Sequence, residues 1–255
     1  MVIDVKHRFD IGLIEKGLDP DKYSFELKQY HQILWSKKLP CGKMMSLSIN
    51  KSKNRLEFDD LSFNPDSITH SFKNTKRKYR GVRECDIVES YKNSDPEVKR
   101  LLDDYQEIDY VIGASLIFPL KGDDGKTGYT INQARGMSYS IHDRIDYTLQ
   151  CIKMYYQNSD DITNPLYKSL KRYRYFFFEL FKDFNGYVDF FFLNDLLDED
   201  GNVKSFSDVI DFDNPFPYPI EEYKKYIDNV IKFVNARSER IYRWLIDNGY
   251  SVLRY

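Results

Sequence analysis

TINQARGMSYSIHDRIDYTLQCIKMYY, residues 130–156, is the stretch where the hydrophobic pattern changes period, and the fold class turns on it. Upstream, residues 110–120 (YVIGASLIFPL) are rich in branched side chains and end at proline, which reads as a strand. The polar loop KGDDGKTG then leads to residues 129–132, and the simplest expectation is a β-hairpin. From Ser138 onward Ile141, Ile145, Thr148, Leu149, Ile152 and Tyr156 fall on one helical face, with Asp143, Asp146, Gln150 and Lys153 on the other. The chain thus passes from strands to helices near residue 135. We expect an α+β fold, a small antiparallel sheet from the N-terminal half packed against a mainly helical C-terminal half. It is read as a single domain over residues 1–255, or as two lobes, β-rich over 1–135 and α-rich over 136–255.

Working outward, residues 21–36 space Tyr23, Leu27, Tyr30 and Leu34 as one helical stripe behind Asp19-Pro20. Residues 44–50 and 55–58 read as short strands, with β or irregular structure continuing to Glu89. Asp95-Pro96 opens a short helix to about Tyr105, since proline fits a first turn. Asn164-Pro165 opens another through SLKRYRYFFFELF, where Lys171, Arg172 and Arg174 beside Phe176, Phe177 and Phe178 read as its wet and dry faces. Asn185-Gly186 is expected to break that helix, and residues 187–197 suit helix or strand. Residues 212–219 carry three prolines and read as a loop before the longest helix, 220–248.

The composition narrows the function classes. A net charge of −2 argues against holding nucleic acid by overall charge, though local basic patches remain open. No apolar segment near the start resembles a signal or a membrane span, so the expectation is a cytoplasmic protein without a membrane partner. Cys41, Cys85 and Cys151 are odd in number and form no CxxC pair, which disfavours disulfides and a thiolate metal site; buried thiols are expected. With 21 Tyr and 18 Phe the core must be aromatic, taking in Trp35 and the FFFL run.

Two motifs are tempting and weak. Gly125-Lys126-Thr127 resembles the end of a phosphate-binding loop, but its first glycine would have to stand at Leu120, and strand formers follow where a helix is needed. Arg135 with His142 fits the loose spacing of HEPN-type ribonucleases, yet Gly136 suggests a turn where that pattern needs helix. Asp211 and Asp213 would share a face if extended, without a third ligand at informative spacing, so no metal is expected.

Several segments resemble an uncharacterised family of bacterial and phage proteins, a domain of unknown function. They are YHQILWSKKLPCG, IGASLIFP followed by TINQARG, IHDRIDYTLQCIKMYY, RYRYFFFELFKDFNGYVDFFFLNDL and FVNARSERI, spanning residues 30–241. The resemblance implies one unit and a bacterial or phage setting, and brings no activity, cofactor or catalytic assignment with it.

The residues themselves suggest an anion site. Gly136 permits a positive-φ turn between Arg135 and the helix, whose free N–H groups would face whatever Arg135 reaches, with Asn132 orienting the ligand or capping the turn. Arg144 borders the apolar face and Arg237 falls inside the stripe Tyr223, Ile227, Val230, Val234, Ile241 and Leu245, with Arg240 on its flank. Either Arg135, Arg144 and Arg237 converge on one anion, with Asp146, Tyr187, Asp189 or Asp195 balancing charge, or they form internal ion pairs. Asp143 also lies three residues after Ser140, as in a capping box. The leading expectation is an intracellular enzyme of defence or toxin type acting on nucleotide or nucleic-acid phosphate, with Asp143, Asp146 or His142 as acid or base. The alternatives are a non-catalytic module for a phosphorylated ligand, or a protein-interaction factor with structural arginines. No cofactor is expected. Residues 73–83 (KNTKRKYRGVR) carry six basic residues around one tyrosine, suited to a nucleic-acid backbone or to a solvated loop.

Overall fold

The computed structural model describes residues 2–120 and 129–253. Gly125-Lys126-Thr127 and the KGDDGKTG loop lie outside the described residues.

Strands β1 (Ser48–Asn50), β2 (Arg55–Phe58) and β3 (Leu61–Ser67) form an antiparallel meander, and β6 (Ser115–Pro119) adds to β3. The register sets Phe63 opposite Pro119 and Ser67 opposite Ser115. A second, two-stranded ribbon pairs β4 (Lys78–Tyr79) with β5 (Val82–Arg83). Helices α1 (Pro20–Tyr23), α2 (Phe25–Trp35), α3 (Glu84–Ser94), α4 (Pro96–Ile108), α5 (Ile131–Met137), α6 (Ile145–Gln157), α7 (Tyr167–Lys171), α8 (Phe184–Phe190) and α9 (Ile220–Asp247) make up most of the rest. The fold is α+β, with the four-stranded sheet in the N-terminal half and mostly helices after it. At the chain's two ends, Ile3 bridges Val252 in parallel.

Every residue of β6 is buried, so its apolar run needs cover on both faces. It finds its partner in β3, some fifty residues earlier, and the hairpin expected with residues 129–132 does not form. Those residues begin α5 instead: the Thr130 side chain accepts from Gln133 N at 3.1 Å and the Gln133 side chain accepts from Thr130 N at 3.0 Å. This reciprocal capping satisfies two donors at a helix start and outweighs the strand propensity of Tyr129, Thr130 and Ile131.

Other differences have local causes. The Ser24 side chain accepts from Leu27 N and starts α2 afresh, leaving Tyr23 exposed outside the expected stripe. Residues from Glu84 to Glu89 are helix α3, not strand or loop. Helix α6 starts at Ile145 rather than Ser138, because His142 (φ 50) and Asp143 (φ 60) are left-handed and break the run. The helix expected after Pro165 is only α7, followed by a 3-10 turn at Phe178–Phe181. Asn185 and Gly186 lie within α8, where a Cβ on Gly186 would meet Phe181 O at 2.1 Å; the glycine allows close packing, not a break. The 212–219 loop and the long α9 stand as read.

The core is aromatic. Phe177, Phe178, Phe181, Tyr187, Phe190 and Phe191 pack edge-on or tilted around one another, and Trp35 lies against Phe190, Phe191 and Phe192. All three cysteines are free, but only Cys151 is buried; Cys41 is exposed and Cys85 half-buried. No helix among the described residues is long and apolar enough to cross a membrane.

Candidate functional site: an aspartate recess around Arg135

The C-terminal end of β3 presents Asp66 and Ser67, and three other elements meet there. From α1, Asp21 accepts a hydrogen bond from Ser67 N at 3.0 Å. From α5, Arg135 donates to Asp66 Oδ2 at 2.9 Å, to Ser67 O at 3.2 Å and to Asn132 Oδ1 at 3.2 Å. From the turn before α6, the Asp143 carbonyl accepts from Arg135 Nη2 at 2.8 Å, and its carboxylate lies 3.4 Å from the same nitrogen. Arg135 Nε reaches Thr148 Oγ1, and the guanidinium lies over the Phe118 ring. One fully buried guanidinium therefore ties β3, α5 and α6 together.

The aspartates are different: they still touch water. The side chain of Asp66 is 24% exposed and that of Asp143 34%, and Asp21 is half-buried. The three carboxylates therefore lie partly exposed around a buried guanidinium. Burial pushes the Asp21 carboxyl up to about 7, helped by the charges of Asp19 and Asp143 and opposed by the Ser67 N–H and Arg135. Burial also lifts Asp66 well above the usual carboxylate range; Arg135 pulls it back, and Asp143 and Asp21 push it up again. Asp21 and Asp66 therefore both favour their protonated forms more than ordinary carboxyls do, and because the charge of one raises the other their titration belongs to the pair rather than to one residue. The stability consequence has a definite sign. A carboxyl raised above its unfolded value costs nothing below about pH 4, and its cost grows as pH rises to about 7 and is then fully present.

Burial likewise lowers the His70 imidazole to about 4, although Asp143 favours its charged form. Tyr105 donates to Thr69 Oγ1 at 3.0 Å, and Thr69 Oγ1 is 3.2 Å from Ser67 Oγ, so the strand end carrying Asp66 is held by a polar chain. The backbone at Asp143 is held against preference: two consecutive non-glycine residues with positive φ cost on the order of 1–3 kcal/mol each, and such strain collects at functional positions.

The sequence-derived candidates divide accordingly. Asn132, Arg135 and Asp143 come together here. Gly136 does not form the expected positive-φ turn; it continues α5, and its carbonyl accepts from Arg77. No Ser140 capping box forms, and the α6 N-cap is Arg144 without a side-chain cap. His142 faces away: its Nδ1 is 3.5 Å from Glu84 Oε1, its ring lies edge-on to Phe72, and burial lowers it to about 3. Arg144 and Asp146 are a closed pair, 1% and 0% exposed. Arg237 is fully buried among backbone carbonyls, and Arg240 makes a bidentate pair with Asp195. Each of the three guanidiniums expected to converge on one anion thus has its own protein acceptors. Asp189 accepts from Asn194, and Asp211 caps the Asp213–Asn214 turn. Among the described residues no group of three or more His, Cys, Asp or Glu is placed to hold a metal ion.

Sequence reasoning missed Asp21 and Asp66. An acid in a helix's first turn reads as a dipole partner, and Asp66 in FNPDS has the look of a turn; only the β3–β6 register and the docking of α1 unite them. Residues 3–241 match the model of a family of unknown function (DUF6994). Neither the comparison with curated proteins nor that with solved structures finds a match.

Proposed function

Since the chain belongs to that family of unknown function, its chemistry has to be read from its own residues, and we propose that it is an enzyme performing general acid–base catalysis in the aspartate recess. The carrying observation is the pairing of a carboxyl raised to about 7, Asp21, with the partly exposed Asp143 around one buried arginine. A carboxyl that keeps its proton toward neutral pH, beside a second carboxylate that solvent reaches, suits a reaction in which one group must donate a proton and another accept one. Asp21 is the donor, Asp143 the acceptor that activates water, and Arg135 with Asp66 and Asn132 holds Asp143 in place.

Charge selects the substrate class. Arg135 already has protein acceptors for its donors, so the one guanidinium of the cluster offers little to a phosphate. The recess suits an uncharged, hydroxyl-rich group such as a sugar, whose hydroxyls carboxylates bind well. The nucleotide reading survives in one form, with the ribose at the aspartates and the phosphate directed away.

The test is turnover of a panel of nitrophenyl glycosides, ribonucleosides and nucleotides by the full chain. Asp21→Asn and Asp143→Asn should each lower kcat/KM at least about a hundredfold, within the range of general acid–base contributions. Because the donor must be protonated, the rate should fall as pH rises through about 7. No turnover across the panel, or an Asp143→Asn variant as active as the parent, contradicts the reading.

A further inference from the structure

The β4–β5 ribbon is a separate feature that the recess does not use. Its turn residues Arg80 (φ 49) and Gly81 (φ 86) are both left-handed, as a tight two-residue hairpin requires. The ribbon is a tight hairpin finger with Lys78 opposite Arg83 and Tyr79 opposite Val82, its Tyr79 ring packed against Phe216 and Tyr218.

Its chemistry is two-fold. Lys76, Lys78 and Arg80 are exposed and have no ion pair among the described residues, while the half-buried Lys73 feels the charge of Asp109. Arg83 is neutralised by Asp86, and Arg77 is tied to the carbonyls of Ser138 and Gly136. Around these cations stand tyrosine faces. Tyr79 and Tyr218 lie 5.2 Å apart, and the Arg80 guanidinium sits over both, 5.2 and 5.4 Å from their centroids. The Arg77 guanidinium sits 4.9 Å from the Tyr139 centroid. Tyr139 is 72% exposed and Tyr218 44%, large aromatic surfaces to leave in water.

We propose that this finger, with Tyr139 and Tyr218 beside it, is a binding surface for single-stranded nucleic acid. Cations without partners match a phosphate backbone, and tyrosine faces match bases, which a single strand exposes and a duplex conceals. An acidic peptide would satisfy the lysines and leave the tyrosines unexplained. With a net charge of −2 on the whole chain, attraction must come from this local cluster and not from overall charge. The surface stands independently of the reaction proposed for the recess.

Fluorescence anisotropy with a labelled 12-nucleotide oligo(U), its DNA counterpart and a 12-base-pair duplex tests this on the full chain. We expect the single strands to bind in preference to the duplex and to weaken with salt, with a log–log slope of about −2 to −3 for three or four phosphate contacts. K76E/K78E/R80E should lose at least about tenfold, and Tyr139→Ala with Tyr218→Ala at least about fivefold. K51E/K53E, on the turn between β1 and β2, should bind like the parent. Far-UV circular dichroism identifies any variant that has lost its fold, and Lys76→Gln/Lys78→Gln is the milder substitute for the charge reversal. Absence of binding at 50 mM salt, preference for the duplex, or retention of full affinity by the tyrosine variant overturns the proposal.

Discussion

Arg237→Met should lose at least about 3 kcal/mol of folding stability, read as a drop in the urea midpoint or as a Tm lower by roughly 6–12 °C for a chain of this size. Arg237 sits midway along α9, fully buried. Its Nη1 donates to Gly113 O and Ser115 O at 2.8 Å and to Ile112 O at 3.3 Å, while Nε and Nη2 both reach Phe191 O at 3.2 Å. Burial lowers the guanidinium to about 9, which still leaves it charged at neutral pH. It thus bonds carbonyls of the 3-10 turn Ile112–Ala114, of Ser115 at the start of β6 and of Phe191 just after α8, adding to the Ser115 N–H bond that Ile112 O already accepts. Methionine fills similar volume but donates nothing, and each buried carbonyl left unpaired costs about 1–3 kcal/mol. Arg237→Lys should recover only part, because one ammonium cannot span acceptors on two sides as a planar fork does. A loss below about 1 kcal/mol for the methionine variant would show that water or repacking replaces the arginine.

Asp146→Ala should cost about 3–5 kcal/mol, because it strands a buried cation. Arg144 bonds Asp146 through two nitrogens, at 2.5 and 3.1 Å, and its remaining donors reach Ser205, Ser207 and Pro215 O. The guanidinium is sandwiched between the Tyr147 and Tyr226 rings, at 4.1 and 4.7 Å. Asp146 also accepts from Phe206 N at 2.9 Å, so the pair pins the 205–215 segment against α6. Removing both charges is a different matter: Arg144→Met with Asp146→Leu should be more stable than Asp146→Ala alone, since no unpaired ion remains. A double variant that is less stable by the sum of two independent losses would deny the coupling.

The chain's legibility followed how local each determinant was. Helix α9 could be read because Tyr223, Ile227, Val230 and Val234 repeat with a helical period, and Arg237 stood out within that stripe. What α9's arginine binds could not be read, because Ile112, Gly113, Ser115 and Phe191 are distant in sequence and offer only backbone. The α5 capping box was present in Thr130 and Gln133, yet the strand formers beside them pointed to a hairpin. The left-handed pair His142 and Asp143 gives no signal, since neither is glycine, and it is this pair that delays α6 and directs Asp143 toward Arg135. Asp21 and Asp66 were invisible for the same reason as the acceptors of Arg237: their shared environment exists only once β3, α1 and α5 have met.

Acid–base catalysis by these aspartates requires a carboxyl that keeps its proton toward neutral pH where water can reach it. Carbon-detected NMR titration of the aspartate side chains, with Asp21→Asn used to assign the resonance, measures this directly. A carboxyl titration near 7 should appear in the parent and be lost or moved in the variant, and that variant should be more stable than the parent at pH 8 and indistinguishable from it near pH 4. If every aspartate in the recess titrates near the ordinary value of about 4, the recess holds no proton to give and the proposed catalysis is wrong.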